Sequence, residues 1–271
     1  MEANIRLEVC AKGGRSYIKS LYVTPPFRLI SVGQLACDGA LYLMQMTTSP
    51  GVLSGDRYDI EVSVDSGASL QLKSQSYQRI YDMEGEASQY LSIDIGDDAH
   101  FSQVPHPIVP HRNSSFTSHT KVNIGERSSF LQSEIITCGR KYHGEEFEFR
   151  LFANNIEVRS GGHLRFMDRL RLTPSTTPLR GCGLLEGATH QGTLIFQTTE
   201  ECDVSVLMEE VYQLLESHKE INFGVSLTHH KGFVLRALGR GGEALFNAFC
   251  CVQQYIWDKR EIRYINILIL E

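Results

Sequence analysis

Ser49-Pro50-Gly51-Val52-Leu53-Ser54-Gly55-Asp56-Arg57-Tyr58-Asp59-Ile60-Glu61-Val62-Ser63-Val64 reads as a turn that delivers a strand. Proline presets one backbone angle and glycine reaches conformations closed to other residues, so Pro-Gly followed by a second glycine marks a turn. Beyond it Tyr58, Ile60, Val62 and Val64 alternate with Asp59, Glu61, Ser63 and Asp65, the period of a strand with one apolar and one wet face. Asp56 stands at the junction. Taken alone, it reads as an Asx-turn acid that only shapes the loop.

The strand ends in a pattern that returns twice. Val64-x-x-x-Ala68-x-Leu70, Ile95-x-x-x-Ala99-x-Phe101 and Ile124-x-x-x-Ser128-x-Phe130 share one register, at offsets of 31 and 29 residues. Units at a near-constant period suggest stacked layers of strand, turn and strand that bury a core only against their neighbours. Chance similarity among β-hairpins would look the same. Alternation continues through Phe147, Phe149 and Leu151, then Ile156 and Val158, Leu164 and Phe166, Leu170 and Leu172, and Leu194 and Phe196. Two helices are expected late in the chain. The first runs from Ser205 to Ser217, with Leu207, Val211, Leu214 and Leu215 at helical spacing. The second runs from Gly242 to Trp257, with a stripe of Leu245, Ala248, Phe249, Val252 and Ile256. The tail from Tyr264 to Leu270 reads as an apolar strand.

At 271 residues the chain is long enough for one large β domain, and no linker composition divides it. The expectation is a single domain over 1–271, with β layers from about 5 to 200 and a helix-containing part from about 201 to 271. A net charge of −6, with 26 Lys and Arg scattered among 32 Asp and Glu, argues against a nucleic-acid partner, which calls for a basic stripe. The start, Met1-Glu2-Ala3-Asn4-Ile5-Arg6, has no basic region before an apolar core, and no apolar run approaches a membrane span. A cytosolic protein without a membrane partner is expected. The seven cysteines are odd in number and lack a Cys-x-x-Cys pair, so reduced, mostly buried thiols are expected.

No catalytic set is legible. Gly-x-Ser-x-Gly is absent, and Gly239-Arg240-Gly241-Gly242 is not followed by Gly-Lys-Ser or Gly-Lys-Thr, so it reads as a tight turn rather than a phosphate loop. His106 and His111 flank a proline-rich loop and His229-His230 sits in a turn before Gly232; neither pair has compact ligand spacing, although either could meet a borderline metal. The acids carry more information. Asp56 follows its glycine turn, Glu134 lies among Leu131, Ile135 and Ile136, Glu145 follows a glycine, and Asp168 interrupts Phe166, Met167 and Leu170. A carboxylate inside an apolar pattern must be paired, hydrated or protonated. Ion pairing with Arg79, Arg140, Arg165 or Arg169 is the bland outcome; a water-filled passage lined by weak oxygen stations is the sharper one.

Thr24-Pro25-Pro26-Phe27, the opening turn, Ser74-Gln75-Ser76-Tyr77-Gln78-Arg79-Ile80-Tyr81, Pro105-His106-Pro107-Ile108-Val109-Pro110, and Ser133-Glu134-Ile135-Ile136-Thr137-Cys138-Gly139-Arg140 with Gly144-Glu145-Glu146-Phe147 follow one another in a particular order. In that order they resemble the urease accessory proteins called UreD, or UreH in some bacteria, from about Leu7 to about Trp257. Each motif is only a turn plus a strand; the succession carries the resemblance. It implies a mainly β fold of stacked strand layers in a β-helical, solenoid-like arrangement with two α-helices near the C-terminus. It also implies a non-enzymatic nickel-insertion chaperone that binds apo-urease and UreF, with the GTPase UreG recruited through UreF. Nickel would then be in transit, with no tightly bound cofactor and no catalytic residue. Asp56, Glu134 and Asp168 match family acids associated with an internal tunnel and urease activation, and would be weak stations; Glu145, His106 and His111 are further candidates. Glu134 is one methylene longer than the Asp of many members, Ser-Pro-Gly replaces Pro-Gly-Gly, and the apolar tail stands where relatives often end in Pro-Arg-x-Trp. Two rivals remain beside this expectation: a β-solenoid carbohydrate hydrolase using paired carboxylates such as Asp56 and Glu134, and a β interaction module with no ion role.

Overall fold

The structure, a computed structural model, describes residues 1–33 and 38–270, with side chains as far as 259. In chain order the strands begin with β1 (Glu2–Lys12), β2 (Arg15–Val23), β3 (Phe27–Ser31), β4 (Leu41–Thr47), β5 (Arg57–Val64), β6 (Ser69–Ser74) and β7 (Gln78–Ile80). They continue with β8 (Ala87–Ile95), β9 (His100–Val104), β10 (Ile108–Pro110), β11 (Ser115–Ile124), β12 (Ser129–Thr137), β13 (Leu151–Ser160), β14 (His163–Leu172) and β15 (His190–Thr198). Helix α1 (Val204–Leu215), strands β16 (Ile221–Leu227) and β17 (Gly232–Gly239), and helix α2 (Gly242–Leu270) complete the order.

Two sheets hold these strands. The first is ordered β14-β13-β11-β8-β5-β1-β2 and the second β16-β17-β15-β12-β9-β6-β4-β3, with β7 and β10 as a short parallel run beside the end of β12. Central strands are parallel in both sheets, and the outer strands β2, β14, β3, β15, β17 and β16 join antiparallel. The positions that repeat in the sequence are direct neighbours. Val64 pairs with Ile95 and Ile95 with Ile124 in the first sheet, while Leu70 pairs with Phe101 and Phe101 with Phe130 in the second. Ser128 replaces the small Ala68 and Ala99 without strain, because its hydroxyl donates to the Gly96 carbonyl (2.6 Å) and accepts from the Ala99 N–H (3.1 Å). The chain is thus mainly β with two helices near its C-terminal end. The sheets themselves are open and do not close on each other.

The core lies in two layers. Between the sheets, equivalent residues stack, as Phe101 on Phe130 (6.1 Å between centroids) and Phe116 on Phe152 (6.2 Å). The other face of the second sheet presents Leu131, Ile135, Leu194, Phe196, Phe233 and Leu235 to the helices, so this sheet is buried on both sides. Asp203 caps α1 by accepting from the Ser205 N–H at 2.9 Å, and Leu207, Val211 and Leu215 form the helix's buried stripe. Helix α2 buries Leu245, Ala248, Phe249 and Val252 as its stripe predicts, but it does not end at Trp257. Its backbone remains helical to Leu270, which overturns the strand expected from Tyr264 to Leu270. No glycine or proline interrupts the stretch, Asp258-Lys259-Arg260-Glu261 includes good helix formers, and extending a helix needs no new nucleus. The side chains of that tail lie outside the described residues. Far along α2, the Trp257 indole N–H and the Tyr42 hydroxyl both donate to Asp38 Oδ2, at 2.8 and 2.6 Å, tying the helix to β4.

Six cysteines are free thiols, but only Cys138 among them is buried; Cys182 and Cys251 are exposed, the latter on α2, and Cys37 lies outside the described residues. The expectation of mostly buried thiols is therefore corrected. Gly192 on β15 shows why α2 can lie so close to the second sheet, since a Cβ there would stand 2.7 Å from the Phe249 ring. Gly192→Ala should lower stability by about 1–3 kcal/mol through overpacking, with part recovered in the double variant with Phe249→Leu. Urea unfolding of the three variants checks this; additive effects would show that the glycine and the ring are independent.

Candidate functional site

The two sheets are apolar where they face each other at their turn ends and polar nearer their opposite ends. One inward row of the first sheet pairs Tyr58, Gln89, Ser118 and Asn154 on β5, β8, β11 and β13. Across from it the second sheet pairs Gln103 on β9 with Gln132 on β12, and Glu134 follows on the same face two residues later. These rows do not close on one another. They bound a cavity of about 490 Å³, whose lining also includes Thr120 and, toward the loops, Arg79 and His106.

Glu134 is held here by β12. Burial pushes its carboxyl up to about 8, the neighbouring Asp168 adds to the rise, and a hydrogen bond with the Asn154 side chain opposes it. Part of the residue's surface still opens on the cavity, so the group is enclosed yet reachable by a small ligand. Among the described residues no cation pairs with it. His106 is the other predicted residue on the lining. Its Nδ1 shares a hydrogen bond with Ser74 Oγ (2.8 Å), its ring stacks on Phe246 of α2 at 4.2 Å, and burial holds its pKa below the usual histidine range. Beside it the Tyr77 hydroxyl donates to Glu243 Oε1 at 2.8 Å, so this part of the lining is tied to the start of α2.

The remaining predicted residues are placed elsewhere. Asp56 is only 4% exposed and is fully engaged: Oδ2 accepts from the Leu53 N–H (2.8 Å) and the Tyr58 hydroxyl (3.2 Å), while Oδ1 meets the Met1 amino group (3.1 Å). That is the loop-shaping acid of the bland reading. Asp168 on β14, the edge of the first sheet, pairs with Arg236 of β17, second from the edge of the other sheet, at 2.6 Å, and not with Arg165 or Arg169. Glu145 is buried against Arg140 in a two-pronged ion pair and also accepts from the Arg112 N–H; the guanidinium holds its carboxyl down at about 2. His111 lies near that pair and packs edge-on against Tyr81, lowered in pKa mainly by burial, with Nε2 buried and unpartnered. Asp56, Glu134 and Asp168 do not gather into one site, and no group of three or more His, Cys, Asp or Glu suited to a metal ion occurs among the described residues. Asp56 is spent on its own turn and does not line the cavity that Glu134 faces.

The residues not picked out from the sequence are the uncharged ones: Gln89, Gln103, Ser118, Thr120, Gln132 and Asn154. A signal was present. Each stands at an inward position of a strand whose neighbours at that parity are apolar, as with Leu91 and Ile93 after Gln89, or Phe130 before Gln132. Uncharged polar residues in such places are commonly satisfied locally, and only the cross-strand register shows that these fall into adjoining rows.

Two open sheets that bound a cavity between them define a β scaffold with a cleft in its interior. Comparison of the sequence with known proteins gives that scaffold a family. The model of the UreD urease accessory protein family matches residues 1–263, and the chain belongs to that family. It is 42% identical to a urease accessory protein UreD of Flavobacterium johnsoniae, over 92% of this chain and 90% of the relative. Identity to the UreD of Acetivibrio thermocellus is 35%, over 90% and 93%, and to that of Actinobacillus pleuropneumoniae 29%, over 87% and 90%. The protein is thus an accessory protein of urease maturation and not an enzyme. No helix among the described residues is long and apolar enough to cross a membrane.

Glu134 has a folded pKa of about 8 against an ordinary value of 4.5, so between those values the folded state keeps a proton that the unfolded chain has lost. Stability contributed by this group therefore falls as pH rises through that window. Glu134→Gln should flatten the slope, matching the parent near pH 4.5 and exceeding it near pH 8. Urea unfolding at both pH values measures it; a parallel pH dependence in parent and variant would mean that the carboxyl is ionised in the folded protein.

Proposed function

We propose that this protein is a chaperone of nickel insertion that docks on apo-urease and on UreF, with UreG recruited through UreF, and that the ion passes through the cavity between the sheets. One observation carries the reading: a cavity of about 490 Å³ between the sheets of a β protein, lined by rows of uncharged polar side chains among apolar ones, with a carboxyl on its wall that no cation pairs among the described residues. A passage needs stations that are favourable enough to enter and weak enough to leave. Hydroxyls, amides and a carboxyl that readily holds a proton meet that need better than a tight cluster of thiolates and imidazoles. The parallel central strands act in this reading as a short β-helical spine that keeps the walls apart. Asp168, next along from Glu134, and Asp56, beside Tyr58 of the lining, would influence the ion through the field of the passage and as further weak stations. The setting is the cytosol, where apo-urease would be met.

Co-expression with urease, UreF and UreG tests this directly. Glu134→Ala, and the plugging changes Ser118→Phe and Thr120→Phe, should each lower the nickel content of purified urease several-fold while urease and UreF still co-purify with the variant. Fully loaded urease with all three variants would remove the ion path and leave an interaction module. Asp56→Asn should act differently, lowering thermal stability, since its amide NH2 would face one of the donors that the buried carboxylate now accepts from, a mismatch that costs about 1–3 kcal/mol.

A further inference from the structure

On the side of β14 the second sheet runs one strand further than the first. The turns from β5 to β6, β8 to β9 and β11 to β12 set those strands over one another, so β13 lies over β15 and β14 over β17, where Asp168 meets Arg236, and β16 has no counterpart above it. Asn222, Gly224 and Ser226 of β16 pair with Leu238, Arg236 and Val234 on the face that β17 turns to the first sheet, and all three are exposed. A Cβ on Gly224 would meet nothing within 4 Å. Beside β14 and above β16 lies an open shelf one strand wide.

The wall of the shelf is a free strand edge. The Leu151 N–H donates to the Ser114 carbonyl at 3.2 Å, so the odd-numbered residues of β13 spend their backbone groups on β11 and the even-numbered ones on β14. Alternation across the antiparallel pair then turns the N–H and C=O of Met167, Arg169 and Arg171 away from β13, toward the shelf. Arg169 and Arg171 are exposed, and Arg165 is the extra residue of the bulge opposite Val158 and Arg159, with Nε buried and unpartnered. None of the three meets a carboxylate among the described residues, whereas Arg57, Arg112, Arg127 and Arg159 all do. An edge strand with three unneutralised cations stands out on a chain whose net charge is −6.

We propose that this shelf takes an extended, acidic segment of a partner protein, which adds beside β14 as a further strand of the first sheet. Its backbone meets the outward groups of Met167, Arg169 and Arg171, and its acidic side chains stand opposite the two arginines. Small or apolar side chains on its other face lie over Gly224 and Ser226. A second copy of this chain is a poor occupant, because pairing β14 with itself sets arginine opposite arginine. The shelf is separate from the cavity, which none of these residues lines, so the proposal does not depend on the ion path.

The probe is a fluorescein-labelled, end-capped heptapeptide of alternating Glu and Val, titrated into the full-length protein at low salt by fluorescence anisotropy and located by amide hydrogen exchange. It should bind and slow exchange along β14. Replacing its Glu by Gln should weaken binding at least about fivefold, and so should N-methylation of the Glu residues, which keeps the charge and removes the edge hydrogen bonds. The double variant Arg169→Glu/Arg171→Glu should lose the Glu peptide and take up the same peptide with Lys in place of Glu. Gly224→Tyr, which fills the shelf without changing charge, should weaken the Glu peptide by about the same factor of five or more. Melting curves identify folded variants, and the peptide comparisons stand on the parent protein alone. No binding of the Glu peptide, equal binding of its Gln form, protection only outside β14, or parental affinity in a folded variant would overturn the proposal. Parental affinity for the N-methylated peptide would also overturn it, by reducing the edge to a patch that attracts any anion.

Discussion

In-register stacking of parallel strands is the constraint on which the interior depends. Once Val64, Ile95 and Ile124 are paired, every inward position of one layer lies beside its equivalent in the next. Apolar equivalents then stack, as Phe101 does on Phe130. Polar equivalents are brought together by the same register, and Tyr58, Gln89, Ser118 and Asn154 can be moved outward only by slipping a strand one residue, which would expose its whole apolar set. The chamber is a consequence of register, and the apolar rows on either side of it hold that register in place.

Within this frame, two glutamates show how placement decides charge. Glu145 meets a guanidinium in two-pronged contact and is held far down, near 2. Glu134 meets an amide and the like charge of Asp168, and burial pushes it up to about 8. Opposite shifts on the same side chain follow from whether the fold supplies a cation. Asp56 and Asp168 resemble Glu145 in being paired, the first with the chain's amino terminus and the second with Arg236. Of the acids in apolar surroundings, Glu134 is the one left to the chamber.

The strands were legible because alternation over Tyr58–Val64 and its recurrence at Ile95 and Ile124 are local signals, and the offsets of 31 and 29 residues returned as real pairings. Helix α1 was legible from its stripe, although its Asp203 cap was not singled out. The tail was misread because a short apolar run has no period that separates strand from helix, and the structure continues α2 through it. At the site, Glu134 stood out as a charge among apolar neighbours, whereas Gln132 and Asn154 did not. Their importance comes from residues far away in sequence, across two sheets, and no local pattern carries that information. Asp56 drew attention through its glycine turn, and that motif describes the turn itself, with both carboxylate oxygens spent on Leu53, Tyr58 and Met1.

A polar chamber in a β core persists only if its walls are held from outside as well as from within, since a void of this size would otherwise be closed by collapse of the surrounding side chains. The second sheet meets that need. All five residues of β9 are buried, with Phe101 facing the first sheet and Ser102 accepting a hydrogen bond from Gln253 of α2 at 2.7 Å. Phe249 presses on β15 where Gly192 makes room, and at the two ends of its described side chains α2 is fixed to the Tyr77 and His106 loops and to Asp38. The helices therefore act on the chamber without touching its contents. They clamp one wall, and the first sheet, stiffened by its own in-register parallel pairing, supplies the other. The contacts of α2 with this sheet thus set how far that wall can stand from the other.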